Sequence, residues 1–432
     1  MHWTKVSILC LLGTIFLLAN KAIAQDNSPY SRYGLGDLNN NQNTVNRGMG
    51  GVSQAYSDPQ SVNFINPASY SSLLLTTFDV GVEGGGRSIT DQGNKFSSGF
   101  GTLSYLQLGI PVVKNKWGLN LGLRPVTRVS YNIQQGFNGT FFDTLRYPLT
   151  NKYEGSGGLY QLYVGTGVRF GNFSVGVNLG YLFGNIENNT RLVFPDPSIY
   201  PSHKMLRTSY SSFFYKVGVQ YRAKVATDMD LTFGASGSLK QNMHARQETL
   251  SETLRFDANG GNYSSQDTVK YVKGERGTVV YPQEFAGGIM LRKFDKWMVG
   301  VDFNTSQWDN FQSFGAKGDS LQNAWKLSVG GQFVPNATAL SGYWNRVAYR
   351  LGGYYGKDYL KLNGVDIPTM GFTVGAGLPV RRMPYSNQYS MINLAFEVAH
   401  RGNNQTALKE NIYRISLGFT LSDKWFIKRK YE

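Results

Sequence analysis

Side chains suited to acid–base, thiol or transition-metal chemistry are scarce here: 432 residues carry four histidines and one cysteine. His2 falls at the extreme N-terminus, and His203, His244 and His400 lie far apart. No G-x-S-x-G elbow marks a nucleophilic serine, and no His/Cys/Asp set has metal-ligand spacing. The run Gly48-Met49-Gly50-Gly51 is not followed by a strand–helix phosphate unit. These observations point away from an enzyme and call for no metal and no cofactor. The remaining polar chemistry is basic: Arg124, Arg128, Lys216, Arg346, Arg350 and Arg414 fall on the polar faces of the strands described below. Two readings stay open for them. They could form an electropositive wall that attracts an anionic head group, or they could pair with interior carboxylates such as Asp302 and Glu397.

The elements that must position these groups are strands. In residues 160–170, Tyr160, Leu162, Val164, Thr166, Val168 and Phe170 share one face, while Gln161, Tyr163, Gly165, Gly167 and Arg169 share the other. Residues 173–183 repeat the pattern, with Phe173, Val175, Val177, Leu179, Tyr181 and Phe183 alternating with mostly small or polar neighbours. Period two is strand behaviour. Several runs reach ten or more residues, beyond the usual strand of about five or six and close to the 9–11 that a tilted membrane strand needs. Aromatics at the run ends, such as Trp117, Tyr181, Tyr221, Trp297, Tyr355 and Trp425, suit interfacial girdles. Composition agrees: Gly 51, Tyr 27 and Phe 26 with only 16% charged residues is a chain of strands and tight turns.

Segments 74–85, 100–113, 116–133, 153–170, 172–187, 209–222, 230–240, 283–293, 297–305, 323–333, 346–355, 368–379, 388–399 and 412–421 make fourteen expected strands. Their connections alternate between short (Lys114-Asn115, Gly171, Phe294-Asp295-Lys296) and long (136–151, 188–208, 241–282). That alternation marks an outer-membrane barrel with short periplasmic turns and long outer loops. No apolar run after the N-terminus is long enough for a spanning helix, so a closed barrel is the one way to satisfy every backbone group in lipid. Parity puts both termini in the periplasm. The expected fold is therefore an all-β transmembrane antiparallel barrel of about fourteen strands, integral to the outer membrane of a Gram-negative bacterium.

The N-terminus sets the address. Lys5, the apolar run 6–19 and the small-x-small end Ala22-Ile23-Ala24 read as a secretory signal peptide over residues 1–24. Cys10 lies within it, so the exported chain uses no disulfide. A net charge of +15 is spread over single basic residues, and with no nucleic-acid motif it is read as a solvated or lipid-facing surface. The expected organisation is then 1–24 signal peptide, 25–73 periplasmic arm and hatch, 74–421 barrel, and 422–432 periplasmic tail.

Residues 46–70 read NRGMGGVSQAYSDPQSVNFINPASY. Gly48, Gly50 and Gly51, then Asp58-Pro59, Asn63 and Asn66-Pro67-Ala68 just before the first strand, resemble the hatch motif of the FadL-type outer-membrane proteins, TodX-like channels included. The glycines allow close backbone approach, Pro67 fixes a bend, and Asn63 and Asn66 suit bonds to backbone. Ser69-Tyr70 stands where the family usually continues with Gly and an apolar residue. The resemblance implies a short N-terminal plug inside fourteen antiparallel strands. It also implies passive uptake of hydrophobic small molecules, of the fatty acid or hydrocarbon class, controlled by the plug and a lateral wall opening. Partners so implied are outer-membrane lipid and a hydrophobic ligand, with no nucleic acid. Some Bacteroidota relatives instead resemble subunits of secretion or assembly machines, which makes the alternative a non-transporting barrel that docks outer-membrane or periplasmic proteins. The stretch 25–43 is read either as a partner-binding periplasmic arm or as a linker.

Overall fold

The computed structural model describes residues 26–39, 42–91, 93–141, 145–196, 198–257, 262–294, 296–317, 320–380 and 389–423. The expected signal peptide, Asn259-Gly260-Gly261 and the basic end at Lys428-Arg429-Lys430 lie outside them.

Fourteen staves close into an antiparallel barrel. They are β1 (Thr76–Asp91), β2 (Asn94–Val113), β3 (Trp117–Phe141), β4 (Leu145–Phe170), β5 (Phe173–Val193) and β6 (Ser202–Ala226), then β7 (Met229–Ser238 continued by Gln241–Asp257) and β8 (Asn262–Tyr281 continued by Glu284–Lys293). β9 (Trp297–Ser306), β10 (Ala324–Phe333), β11 (Ala348–Leu362), β12 (Val365–Pro379), β13 (Tyr389–Arg401) and β14 (Leu408–Asp423) complete the ring. Closure is made where β14 pairs with β1, from Asp423↔Thr76 to Leu408↔Asp91. Both pieces of β7 pair with β6, so they form one stave interrupted at Leu239-Lys240. β8 is interrupted at Pro282-Gln283, where proline has no N–H to give the ladder.

The wall is inside-out relative to a soluble sheet. Outward positions such as Leu179 (60% exposed), Phe213 (84%), Val299, Phe372 and Ile415 form an exposed apolar band, whereas Gln107, Asn120, Gln161, Asn178, Asp302 and Asn393 are buried inside. Only lipid makes that arrangement favourable. No helix among the described residues is long and apolar enough to cross a membrane.

Two expectations change. The stretches 136–151, 188–208 and 241–282, read as long loops, are mostly strand: β3 and β4 stay paired to Phe141↔Leu145, and β7 and β8 to Asp257↔Asn262. Above the apolar band both sheet faces meet water, so no apolar alternation announces them. Cross-strand side-chain contacts hold these extensions, among them the ion pairs Arg207–Glu187 (2.6 Å) and Arg191–Glu154 (3.6 Å) and the His203–Glu252 hydrogen bond (2.8 Å). The second change is Arg346, which is not on a strand but ends the 3-10 turn Tyr343–Arg346 ahead of β11.

Candidate functional site in the barrel lumen

Residues 43–73 hold almost no regular structure, and their order comes from bonds to the wall. One helical turn, Thr44–Arg47, is capped by Asn43, whose Oδ1 accepts from Asn46 N at 2.8 Å. Asn43 Nδ2 then donates to Val62 O at 2.9 Å, tying the two ends of the segment together. Arg47 is paired with Glu83 on β1 and donates to Ser416 Oγ on β14. Gly50 N donates to Thr373 Oγ1 on β12 at 2.8 Å. The backbone N–H groups of Ser53 and Gln54 both donate to one oxygen of Asp302 on β9, at 2.6 and 2.8 Å. Tyr70 donates to Asn178 on β5 and accepts from Asn120 on β3.

The wall is carved to receive this backbone. A Cβ built on Gly330 or Gly352 would collide with Met49, one on Gly234 with Gln54, one on Gly176 with Pro67, and one on Gly118 with the Tyr70 carbonyl. Glycine is required there for close approach.

The motif residues read from sequence fall together in this segment. Gly50 and Gly51 take positive φ (69° and 92°), and Gly48 packs against Gly375. Asp58 accepts from Gln60 N at 2.8 Å, and the Pro59 carbonyl accepts from Leu74 N at 3.1 Å. Asn63 Nδ2 donates to the Ser53 and Tyr56 carbonyls. Asn66 Nδ2 donates to Gln54 O and to Val219 O of β6, while its Oδ1 caps the turn Pro67–Ser72 at Ala68 N. Pro67 and Ala68 are buried within that turn.

Four of the six basic candidates, Arg124, Arg128, Lys216 and Arg414, line one interior cavity, and Arg346 and Arg350 are not part of that lining. Arg414 pairs with Glu397 (2.9 Å) and Glu83 (3.6 Å), and Arg128 with Asp26 (3.4 Å). Arg350 donates to Gln332 and Asn393. Arg124 donates twice to Gln161 and lies over Phe64. Arg346 stands apart near Tyr343. Asp302, expected to answer a cation, instead receives the backbone N–H groups described above.

A second charge cluster escaped the sequence reading. Arg401 on β13 contacts Asp37 (2.8 Å), Asp358 (2.8 Å) and Glu410 (3.5 Å), and Arg87 on β1 contacts Asp37 (3.1 Å) and Glu410 (3.2 Å). Parity held a signal: Asp79, Glu83 and Arg87 share the inward face of β1, and Arg401 stands directly opposite Glu410. Asp37 and Asp26 come from the arm. Residues 26–39 lie toward the strand ends remote from the short turns, bonded to β3 and to the cluster. Burial pushes the Asp37 carboxyl up, but Arg401 and Arg87 outweigh it and hold it at about 2. Burial also pushes the Tyr30 hydroxyl up, to about 12, and the ring sits under Arg401 at 4.4 Å.

The same arm completes an apolar core. Tyr30 and Leu35 pack with inward residues of β3–β8 and with Trp308 and Phe311 from the β9–β10 connection. Trp308 is fully buried, 4.7 Å from the Tyr359 ring and 5.9 Å from Phe311. Between this core and residues 43–73 remains a cavity of about 350 Å³ whose lining includes Glu83, Arg87, Arg124, Lys216, Lys326 and Glu397.

A family model described as BamG matches residues 5–432. No curated protein matches the sequence. Among solved structures, the chain is similar to the Pseudomonas putida toluene transporter TodX, with TM-score 0.56 at 14% identity over 89% of this chain and 99% of that one. It is also similar to the CymD monoaromatic hydrocarbon channel (TM-score 0.52, 12% identity, 91% and 99%). A Pseudomonas aeruginosa FadL homologue gives TM-score 0.52 at 16% identity over 88% and 97%. At these identities the likeness is one of fold: the outer-membrane barrel of the FadL type.

Proposed function

The chain belongs to the BamG family, and from that premise we propose that it is a non-transporting outer-membrane barrel, a docking subunit of an outer-membrane assembly or secretion complex. Residues 43–73 serve as its hatch, and the short-turn end faces the periplasm. The observation that carries this reading is the occupied lumen. Hatch residues fill the short-turn end, the arm and the Trp308 core fill the other, and what is left is lined by ion-paired side chains such as Arg87, Arg414 and Glu397 beside apolar ones such as Phe100 and Trp325. A fatty acid tail or hydrocarbon would have to displace ion pairs to rest there, which burial of unpaired charge opposes.

The second reading is hatch-gated passive uptake of a hydrophobic small molecule. It draws support from the fold shared with proteins described as a toluene transporter and a monoaromatic hydrocarbon channel. Isolation in mild detergent, with mass spectrometry of bound proteins and bound lipids together, separates the two. The docking reading expects stoichiometric protein partners and no retained fatty acid or hydrocarbon. A lone barrel carrying such a ligand would overturn it in favour of uptake.

A further inference from the structure

The wall contains a seam. β2 and β3 pair only from Val113↔Trp117 to Leu106↔Leu123. Beyond that point β2 stays paired with β1 up to Asp91↔Asn94, and β3 stays paired with β4 up to Phe141↔Leu145. Two strand edges, residues 94–105 and 124–137, are therefore not paired with each other. The split begins near the top of the apolar band, where Pro125 stands opposite the exposed Tyr160.

The two edges are treated differently. The β3 edge is met by the arm: Asn39 N donates to Val126 O, Asp37 and Leu38 pair with Arg128 and Thr127, and Ser28 N donates to Ser130 O at 2.7 Å. Ser130 N donates to Ser31 Oγ, and the Asn27 side chain serves both N and O of Asn132. The β2 edge receives one contact from the arm, Ser98 Oγ donating to Asn27 O at 3.5 Å. Among the described residues, no backbone hydrogen bond reaches 94–104 from the seam side. Residues 94–97 are exposed, Phe96 at 57%.

We propose that the free edge of β2 over residues 94–104 is a docking site for an extended strand of a partner protein, added by β-augmentation above the lipid belt. An unpaired strand edge is a row of alternating N–H and C=O groups, and another extended backbone repeats those groups at the matching spacing of about 3.3 Å per residue. The facing edge already shows the mode, since the chain's own residues 37–39 pair with β3 as a strand. The arm spends its main-chain bonds on β3 and leaves β2 as the edge without a strand partner. The outer half of that edge, Asn94-Lys95-Phe96-Ser97-Ser98-Gly99, is polar apart from Phe96 and suits a strand in water, while Phe100 and the exposed Leu103 mark its inner half at the top of the apolar band. This inference rests on the docking reading and names the contact through which docking occurs.

The test is residue-level hydrogen exchange on the isolated barrel and on the barrel purified with its partners. The inference expects every second amide within 94–104 to slow at least tenfold in the complex, with amides of β12 on the far wall unchanged. A photo-reactive phenylalanine analogue at Phe96 should cross-link to a contiguous extended segment of one partner. A complex that forms without protecting 94–104 overturns the seam as the contact and leaves the docking reading standing. Absence of any partner overturns both. Protection of a continuous block rather than alternate residues overturns strand addition, because side-chain burial carries no two-residue period.

Discussion

Asp302→Ala should loosen the wall's hold on Ser53 and Gln54 while the barrel stays closed. In the native structure one buried carboxylate oxygen accepts from Ser53 N at 2.6 Å and from Gln54 N at 2.8 Å. Alanine leaves both donors without an acceptor in a site where Asp302 has no exposure. Each orphaned donor costs about 1–3 kcal/mol, and removing a buried charge returns part of that, so the net cost is about 2–4 kcal/mol. At about 1.4 kcal/mol per decade, local opening should speed exchange at Ser53 and Gln54 by about thirty- to a thousand-fold. Asp302→Asn keeps a carbonyl oxygen in place and should cost about 1 kcal/mol, since a neutral bond replaces a charge-assisted one. Hydrogen exchange in detergent reads the effect, and the heat-dependent gel mobility of the barrel checks that β9 still closes the wall. Exchange within threefold of wild type in Asp302→Ala, with the barrel intact, would refute the claim that the wall holds this segment through Asp302.

Gly352→Val should act by sterics where Asp302→Ala acts by lost bonds: its Cβ meets the Met49 backbone, so protection at residues 48–52 should fall while heat-modifiable mobility persists. On the lipid side, Leu179→Arg should lower barrel stability by about 2–4 kcal/mol in bilayer refolding measurements, the cost of a cation near the membrane midplane. The arm should respond to acid in one direction through Asp37. Its carboxyl is held at about 2 against an ordinary 3.8, so its contribution is complete above the ordinary value and is lost as pH falls toward 2. Asp26 opposes this, because burial raises its carboxyl against the pull of Arg87 and Arg128. An environment-sensitive dye on Leu38→Cys should report arm release between pH 4 and 2, and Asp37→Asn should abolish that step.

Strand number and order were legible because the membrane imposes them: each stave alternates with period two across the apolar band, as β4 and β5 show. Above that band the rule lapses. The Arg207–Glu187 and His203–Glu252 pairs hold sheet with both faces in water, and such sequence reads as loop. The glycine and asparagine motif was legible as a unit because close approach and side-chain-to-backbone bonding need those residue types. The Asp302 contact and the Asp26, Asp37, Arg87, Arg401 and Glu410 cluster join positions far apart in sequence. Inward parity marks such residues as interior, but only the closed barrel decides which of them meet. The seam is likewise a matter of register: nothing in 94–105 separates a paired edge from a free one.

Uptake measured across a membrane tests the central claim most directly. Barrel reconstituted into lipid vesicles, given labelled toluene in one arm and labelled oleate in the other, should take up neither faster than protein-free vesicles. Wild-type-dependent uptake that Gly352→Val alters would contradict the account of an occupied, non-transporting lumen.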